Sequence, residues 1–243
     1  MTRRARVESG VGMENWDFRE WQAALGALDP RAAALVGLAA AERIAGCLGD
    51  ERFRRHGASA AEAARDLLQE CWSCAQGGDG SAAARIRDLA DRLAAHCADY
   101  QTLSMTELFH SYGPFAADTD GDPDDEVPDL DEFLEEAEPE GAVMMHLDAL
   151  TAIGEAAAAC AGGPWDGALR CLQYTAMAAD QHDPRLPGPG AETRHQAEDL
   201  ALVRATDGAG AGPGHLVTEL RTRAQAEAAG WQRATERLGL LHD

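Results

Sequence analysis

The sequence predicts an all-α fold, and three observations support this prediction. Helix-start and helix-stop signals recur along the 243 residues, and apolar side chains recur at three- and four-residue steps. No long run of alternating β-branched or aromatic residues indicates a strand. Because only 5% of the residues are aromatic while alanine lines many helix faces, we expect a compact, alanine-rich multi-helix bundle.

The first half of the chain contains several helices with recognisable ends. One is predicted to begin with Asp29 as N-cap and Pro30 in its first position. A second is predicted to begin at a capping box formed by Ser59 and Glu62. An apolar seam then predicts a third helix, and the pattern SMTE, which begins at Ser104, predicts the cap of a separate short helix.

The second half repeats the same signals. Residues 141–183 have the pattern of a helical hairpin, in which a glycine pair ends the first helix and Pro164 begins the second. Two Pro/Gly-rich pieces flank a helix around residues 195–204. Apolar and small residues between Leu216 and Leu238 predict a last helix that packs along the bundle.

Negative charge is concentrated in one part of the chain. Thirteen of the forty-two acidic residues lie between Asp118 and Glu140, where there is no cation. Without them the formal charge of −21 becomes −21 + 13 = −8. We therefore expect no binding of nucleic acid, because phosphates would be repelled, and we expect attraction to a basic protein.

The domain organisation follows from these patterns. We expect residues 1–12 to be a flexible tail and residues 13–243 to be a single α-helical domain. In this domain residues 13–117 supply the N-terminal helices, 118–140 an acidic inter-helix loop and 141–243 the C-terminal helices. Without a signal-like or membrane-spanning apolar run, the sequence predicts a cytoplasmic protein that does not bind membranes.

The acidic segment, residues 118–140, has three interpretations. Its first aspartates have the spacing of a calcium loop, but Pro123 and Asp129 stand where an EF-hand needs glycine and a bidentate glutamate. A solvated loop and a surface for a basic partner are the two remaining interpretations. The candidate partner-binding residues are Asp124, Asp125, Glu126, Asp129, Asp131, Glu132, Glu135 and Glu136.

The six cysteines are interpreted as reduced core residues, because the chain has no secretion signal. The motif CWSC, Cys71 to Cys74, offers redox and zinc alternatives. A reactive thiolate is favoured at a helix N-terminus, whereas this pair lies at a predicted C-terminal end. A closed zinc site would need further ligands, with His96 and Cys97 as the nearby candidates.

A second alternative is a metal-dependent helical-bundle enzyme, with di-iron or zinc. Two Glu-x-x-His units have the ligand order of a di-iron carboxylate bundle, but both lie beside helix ends. The residues concerned are Glu107, His110, Glu192 and His195, with Glu62 or Glu70 before them and Glu155 between them. The sequence assigns no catalytic residue, no metal ligand and no cofactor.

Four short motifs occur in one order along the chain: WQAALGALDPRAAALVGLAAAERI, RDLLQECW, LDEFLEEAEP and HLDALTAIGEAAA. In these motifs and their order, residues 16–183 resemble the YjaG-like family of uncharacterised bacterial proteins, a family of unknown function. The resemblance implies a compact α-helical domain in a bacterial protein. It implies no activity and no catalytic residues.

Four polar residues are candidates for a shared site within this resemblance. Glu42, Arg43, Asp148 and Glu155 lie on largely apolar helices, where buried polar groups need partners. They form either a structural ion-pair network or a ligand site.

The function predicted from the sequence is non-enzymatic protein binding. An acidic surface would engage a basic partner in an immunity-like or regulatory role. The alternatives are the metal-dependent enzyme and an oligomeric structural module. In the last, Met144, Met145 and Trp165 would cover the contact of a homodimer.

Overall fold

A computed structural model describes residues 17–77, 80–112, 141–182, 190–209 and 213–238. In these ranges the chain forms eight α-helices and one 3-10 helix and no β-strand, so the all-α prediction is confirmed. The helices are α1 Phe18–Gly26, α2 Pro30–Ile44, α3 Glu51–Ala75, α4 Ala82–Tyr112, α5 Gly141–Cys160, α6 Asp166–His182, α7 Gly190–Ala209 and α8 Pro213–Arg237, with the 3-10 helix Ala45–Gly49 between α2 and α3.

Three aspartates cap the first helices. The Asp29 side chain accepts a hydrogen bond of 2.9 Å from the backbone N–H of Arg31, and Pro30 follows it at the start of α2, as predicted. Asp17 caps α1, and Asp50 caps α3. Each side chain satisfies N–H groups that a helix start leaves without partners.

Two predicted helix starts are wrong. Helix α3 begins eight residues before Ser59, because Phe53 and Gly57 are already buried on the face that packs inward. Helix α4 continues through Ser104, whose side chain is buried one turn after Tyr100. Packing of these helices against the rest of the bundle overrides local cap signals.

Helix α2 lies at the centre of the described part of the molecule. It packs against α5, α6 and α8 and also contacts α3 and α7. Six of its fifteen residues are alanine, and at Gly37 an added Cβ would lie only 3.0 Å from the Cα of Ala168 on α6. Small side chains therefore let the helix axes approach closely, as the composition predicts.

The 3-10 helix crosses α8 with very little space between the two backbones. A Cβ at Gly46 would lie 2.0 Å from the carbonyl oxygen of Ala228, so no larger residue fits there without a shift of the backbone. This crossing joins the end of α2 to α8, and Gly46 and Ala228 line one side of a groove on the surface.

Two helical segments are long and apolar enough to cross a membrane by length and composition alone. They are Pro30–Gly49 and Gly141–Cys160, and 67% and 61% of their apolar windows are buried inside the molecule. Core helices of soluble proteins pass the same test, so this is weak evidence for a membrane span. The cytoplasmic location stays a prediction.

The residues predicted to cover a dimer contact lie in and around the core. Met145 is fully buried within the chain and Met144 is half-buried. The ring of Trp165 packs beside Gly26, 3.6 Å from where a Cβ would stand. Met145 therefore has no surface to offer, and the homodimer stays a prediction.

Candidate functional site

The predicted partner-binding acids lie outside the residues that the structure describes. These residues are Asp124, Asp125, Glu126, Asp129, Asp131, Glu132, Glu135 and Glu136. Binding of a basic partner through them stays a prediction.

Arg43 lies at the centre of a buried ionic cluster. Its guanidinium is fully buried and donates from Nε and Nη2 to Glu192, with N···O distances of 2.9 to 3.2 Å, and from Nη1 to Asp199. Burial alone would lower the pKa of Arg43, but the two carboxylates outweigh it and hold the pKa above its ordinary value. The arginine therefore stays charged inside the bundle.

The outer part of this cluster is less well paired. Glu227 lies 3.5 Å from Arg43 Nε and 3.4 Å from His195 Nδ1, and burial raises the pKa of its carboxyl. Burial likewise raises the pKa of Asp199, although Arg43 and Arg223 act in the opposite direction. The cluster ties α2 to α7 and α8 by charge in the interior.

The four candidate residues of the shared site have different partners. Glu42 is half-buried and accepts hydrogen bonds from Trp72 Nε1 and Gln225 Nε2, at 2.8 and 2.9 Å. Glu155 pairs with Arg170 on α6 at 2.8 Å. Asp148 is half-buried and contributes, after burial itself, to the raised pKa of the Cys47 thiol, which is about 12. Of the four, Arg43 is the one at the centre of a buried ionic cluster.

The structure places the two Glu-x-x-His units apart. Glu192 and His195 lie at the Arg43 cluster, where the guanidinium stands among the carboxylates. Glu107 pairs instead with Arg55 at 2.9 Å and with His56 at 3.0 Å. Within the described ranges, no group of three or more His, Cys, Asp or Glu side chains could hold a metal ion. The described residues therefore offer no di-iron or tetrahedral zinc site.

A second buried polar group joins α4 and α5 to the start of α3. The Tyr100 hydroxyl lies 2.7 Å from His146 Nδ1, and His146 Nε2 lies 3.7 Å from Asp50. Burial lowers the pKa of His146, so the ring is neutral at pH 7. Burial on its own would raise the pKa of Asp50, but His146 and Arg52 outweigh it and hold the pKa well below its ordinary value. Solvent does not reach the His146 ring, because Tyr100 and His146 are both buried.

A groove of about 490 Å³ lies between the 3-10 helix, α3 and α8. Its apolar lining residues are small ones and two leucines, Leu48 and Leu68. The volume is in the range of small-molecule sites, which combine an apolar lining with a few polar groups. We call this feature the arginine groove, after Arg54, Arg65 and Arg221, which line it together with Glu42.

The three arginines of the groove have few partners. Arg54 and Arg65 are exposed and form no ion pair with any residue in the described ranges. Arg221 donates to Gln69 Oε1 at 2.6 Å, and its guanidinium lies 5.9 Å from the Trp72 ring centroid. The Nε of Arg221 is buried and has no hydrogen-bond partner among the described residues. With three arginines and one glutamate, the lining has a formal charge of 3 − 1 = +2.

Sequence reasoning missed the arginine groove. Arg54 and Arg65 are eleven residues apart, which places them on one face of a helix about three turns apart, with Ala61 and Leu68 on the same face. This spacing could have indicated that the two arginines share a surface, but the wrong start predicted for α3 left Arg54 outside the helix. Arg221 comes from α8 and could be assigned only from the packing.

The cysteines of the motif CWSC lie beside another helix end. Cys71 is buried, Cys74 and Cys160 are half-buried, and all three line a cavity of about 250 Å³. Cys71 is buried in the core, as predicted. The approach of Cys160 from α5 was not predicted.

Comparisons with known proteins add no relative to this description. A scan against family models, a search of curated proteins and a search of solved structures each find no match for the chain. The resemblance to the YjaG-like family therefore stays a prediction.

Proposed function

We propose that the protein binds a small organic anion in the arginine groove. The observation that carries this proposal is the cluster of three arginines, two without an ion pair in the described ranges, around an apolar groove in a chain of net charge −21. In a chain with twice as many acids as arginines, an unneutralised cationic site indicates a specific anionic ligand.

The chemistry of the lining suggests the kind of anion. A carboxylate or phosphate head group would accept hydrogen bonds from Arg54 and Arg65, and a guanidinium can bind such a group with two parallel N–H donors. An apolar body would cover Leu48, Leu68 and the alanines between them. The ligand class is therefore an amphiphilic organic anion.

Glu42 repels an anion in the groove less than its charge alone suggests. Its two carboxylate oxygens already accept from Trp72 and Gln225, which reduces its repulsion of an anion at the other side of the groove. The remaining acidic surface repels polyanions at a distance, but charges more than about 8 Å away are screened at physiological salt. A small anion in the groove therefore responds mainly to the three arginines.

Displacement of a fluorescent dye tests the proposal. We use 1-anilinonaphthalene-8-sulfonate as the probe, with octanoate, octyl phosphate and 1-octanol as competitors. We expect the dye to bind at one saturable site and both octyl anions to displace it, with the better competitor identifying the preferred head group. The neutral alcohol should displace it at least about tenfold less well, because charge-assisted hydrogen bonds contribute about 1.5–3 kcal/mol each.

Paired variants identify the site. The double variant Arg54→Gln/Arg65→Gln should bind the dye and octanoate at least about tenfold more weakly. The control Arg233→Gln/Arg237→Gln removes the same charge from exposed positions of α8 outside the groove and should bind as the parent protein does. Equal affinity of the two double variants, or equal displacement by octanol and octanoate, would refute the proposal.

A second candidate function rests on the acidic segment. Thirteen acids without a cation in twenty-three residues favour a basic protein partner, and such charge density raises the association rate and makes binding dependent on salt. The protein would then act as a regulatory or immunity-like binding module.

A decaarginine peptide serves as the probe for this second function. We expect it to bind the parent protein at low salt and to dissociate as salt is added. A variant in which the eight candidate partner-binding acids are replaced by their amides should lose this binding, while dye binding in the arginine groove remains. Unchanged peptide binding in that variant would refute the second function alone.

A further inference from the structure

The three arginines of the arginine groove lie toward its two ends. Along α3 the lining begins at Arg54 and ends with Arg65, Leu68 and Gln69. At about 1.5 Å per residue, the Cα atoms of Arg54 and Arg65 are about 16 Å apart along the helix axis. Arg221 donates to Gln69 Oε1 at 2.6 Å and therefore lies at the Arg65 end.

Helix α8 has a matching order of residues along the groove, because it runs antiparallel to α3. Arg52, near the start of α3, donates to the carbonyl oxygen of Thr235 in the last turn of α8. Gln69, near the end of α3, accepts from Arg221 in the first half of α8. One end of the groove therefore has one arginine, from α3, and the other has two, one from each helix.

The two ends have the same formal charge. Gln225 lies one turn after Arg221 and donates to Glu42 at 2.9 Å, so this glutamate lies at the end with two arginines. That end has a formal charge of 2 − 1 = +1, and Arg54 gives the opposite end a charge of +1 as well. Each end therefore matches one monovalent acid group.

The lining between these ends is apolar. Ala61 and Ala64 separate the two arginines of α3, and Gly46 and Ala228 meet where the 3-10 helix crosses α8. None of these four residues has a polar side chain, and burial of apolar ligand atoms against them is favourable. The middle of the groove therefore suits a chain of methylene groups rather than a third charge.

We propose that the arginine groove binds an elongated dianion, with one acid group at each end and an apolar chain between them. This inference rests on the proposed function, because it names the ligand class of the same site. An α,ω-dicarboxylate is the simplest such ligand, and each carboxylate would accept two parallel N–H donors from a guanidinium. An extended chain advances about 1.2 Å per bond, so the carboxyl carbons of dodecanedioate are about 13 Å apart. Arginine side chains that lean inward cover the rest of the spacing.

Displacement of 1-anilinonaphthalene-8-sulfonate by matched ligands tests this inference. The competitors dodecanedioate and 12-hydroxydodecanoate have the same length and differ only in the charge of one end. We expect dodecanedioate to bind at least about tenfold more tightly, because it makes a second set of charge-assisted hydrogen bonds. Butanedioate and 4-hydroxybutanoate should differ by less than about threefold, because a chain of four carbons cannot span the two ends.

Two variants with one charge fewer locate the second acid group. Arg54→Gln should weaken dodecanedioate by at least about tenfold, so that its advantage over 12-hydroxydodecanoate disappears. The affinity for 12-hydroxydodecanoate should change by less than about threefold, because its one carboxylate still binds at the end with two arginines. The control Arg233→Gln removes an exposed arginine outside the groove and should keep the advantage.

Reversal of the charge at Arg54 gives a sharper test. In Arg54→Glu, 12-aminododecanoate should bind more tightly than dodecanedioate, because its ammonium group then meets a carboxylate at that end. The parent protein should have the opposite order. A change of net charge alone would alter the affinity for both ligands without reversing their order. Arg54 is exposed, so neither substitution disturbs the core.

The results separate this inference from the proposed function. If dodecanedioate and 12-hydroxydodecanoate displace the dye equally well, or if Arg54→Glu keeps the ligand order of the parent protein, the inference is wrong and the proposed function stands. If neither ligand displaces the dye, both are wrong.

Discussion

Replacement of Arg43 by methionine should destabilise the protein strongly. The change leaves the carboxylates of Glu192 and Asp199 without their cation, and their side chains are 3% and 1% exposed. Removal of one partner of a buried ion pair typically costs about 3–5 kcal/mol, because the remaining charge is buried and uncompensated. We expect a loss in this range for Arg43→Met at pH 7, measured as the free energy of unfolding in urea.

Two control variants make this expectation specific. The triple variant Arg43→Met/Glu192→Gln/Asp199→Asn also removes the two carboxylates that would be left unpaired. It should regain most of the lost stability, since replacing a whole buried ionic group by uncharged residues often changes the free energy of unfolding little. Arg170→Met breaks the half-exposed pairs with Glu155 and Asp166 and should cost at most about 1 kcal/mol.

The pH dependence of Arg43→Met provides a further check. Burial raises the pKa of Asp199 already in the presence of Arg43, and loss of the cation raises it further. When burial raises the pKa of a carboxyl in the folded protein, the free energy of unfolding falls as pH rises. The fall begins near the ordinary Asp pKa of 3.8 and ends above the pKa of the folded state. Arg43→Met should therefore be less destabilised at pH 5 than at pH 7. A loss below about 1 kcal/mol at pH 7, or no effect of pH, would refute the buried-charge explanation.

Further predictions concern packing and a buried histidine. Gly46→Ala should cost more than about 2 kcal/mol, because its Cβ would lie 2.0 Å from the Ala228 carbonyl oxygen; Gly230→Ala has no atom within 4 Å and should stabilise α8 by about 0.5–1 kcal/mol. Thermal melts of both check this, and equal effects would contradict it. Because burial lowers the pKa of His146, the unfolded chain takes up a proton near pH 6.5 that the folded protein does not. Unfolding free energy should therefore fall by up to about 1.4 kcal/mol per unit below pH 6.5, and this part of the fall should be absent in His146→Asn, which retains a partner for Tyr100. Urea denaturation at pH 7.0 and 5.5 measures the difference, and an equal slope in both proteins would contradict it.

Local signals in the sequence predicted the presence of helices more accurately than the residues at which those helices begin. Asp29 and Pro30 start a helix because the cap and the fixed proline backbone act within one turn. Ser59 and Ser104 have equally good local signals but lie inside helices, because burial of residues before and after them stabilises the longer helix. Such burial depends on neighbours that are distant in the chain.

The candidate sites were only partly predictable for the same reason. Arg43 was named as a polar residue on an apolar helix, but its partners Glu192 and Asp199 are 149 and 156 residues away. The arginine groove likewise needs Arg221 to approach α3, and the cavity lined by Cys71 needs Cys160 to approach from α5. Composition and periodicity determine which face of a helix is buried, whereas the choice of partner helix depends on the complete packing.

The most direct test of the proposed function is a titration of ¹⁵N-labelled protein with octanoate, followed by backbone amide shifts. We expect saturable shifts that cluster at the lining of the arginine groove, at Arg54 and in residues 42–49, 61–69 and 221–228. Saturable shifts at another surface, or no shifts at all, would contradict it.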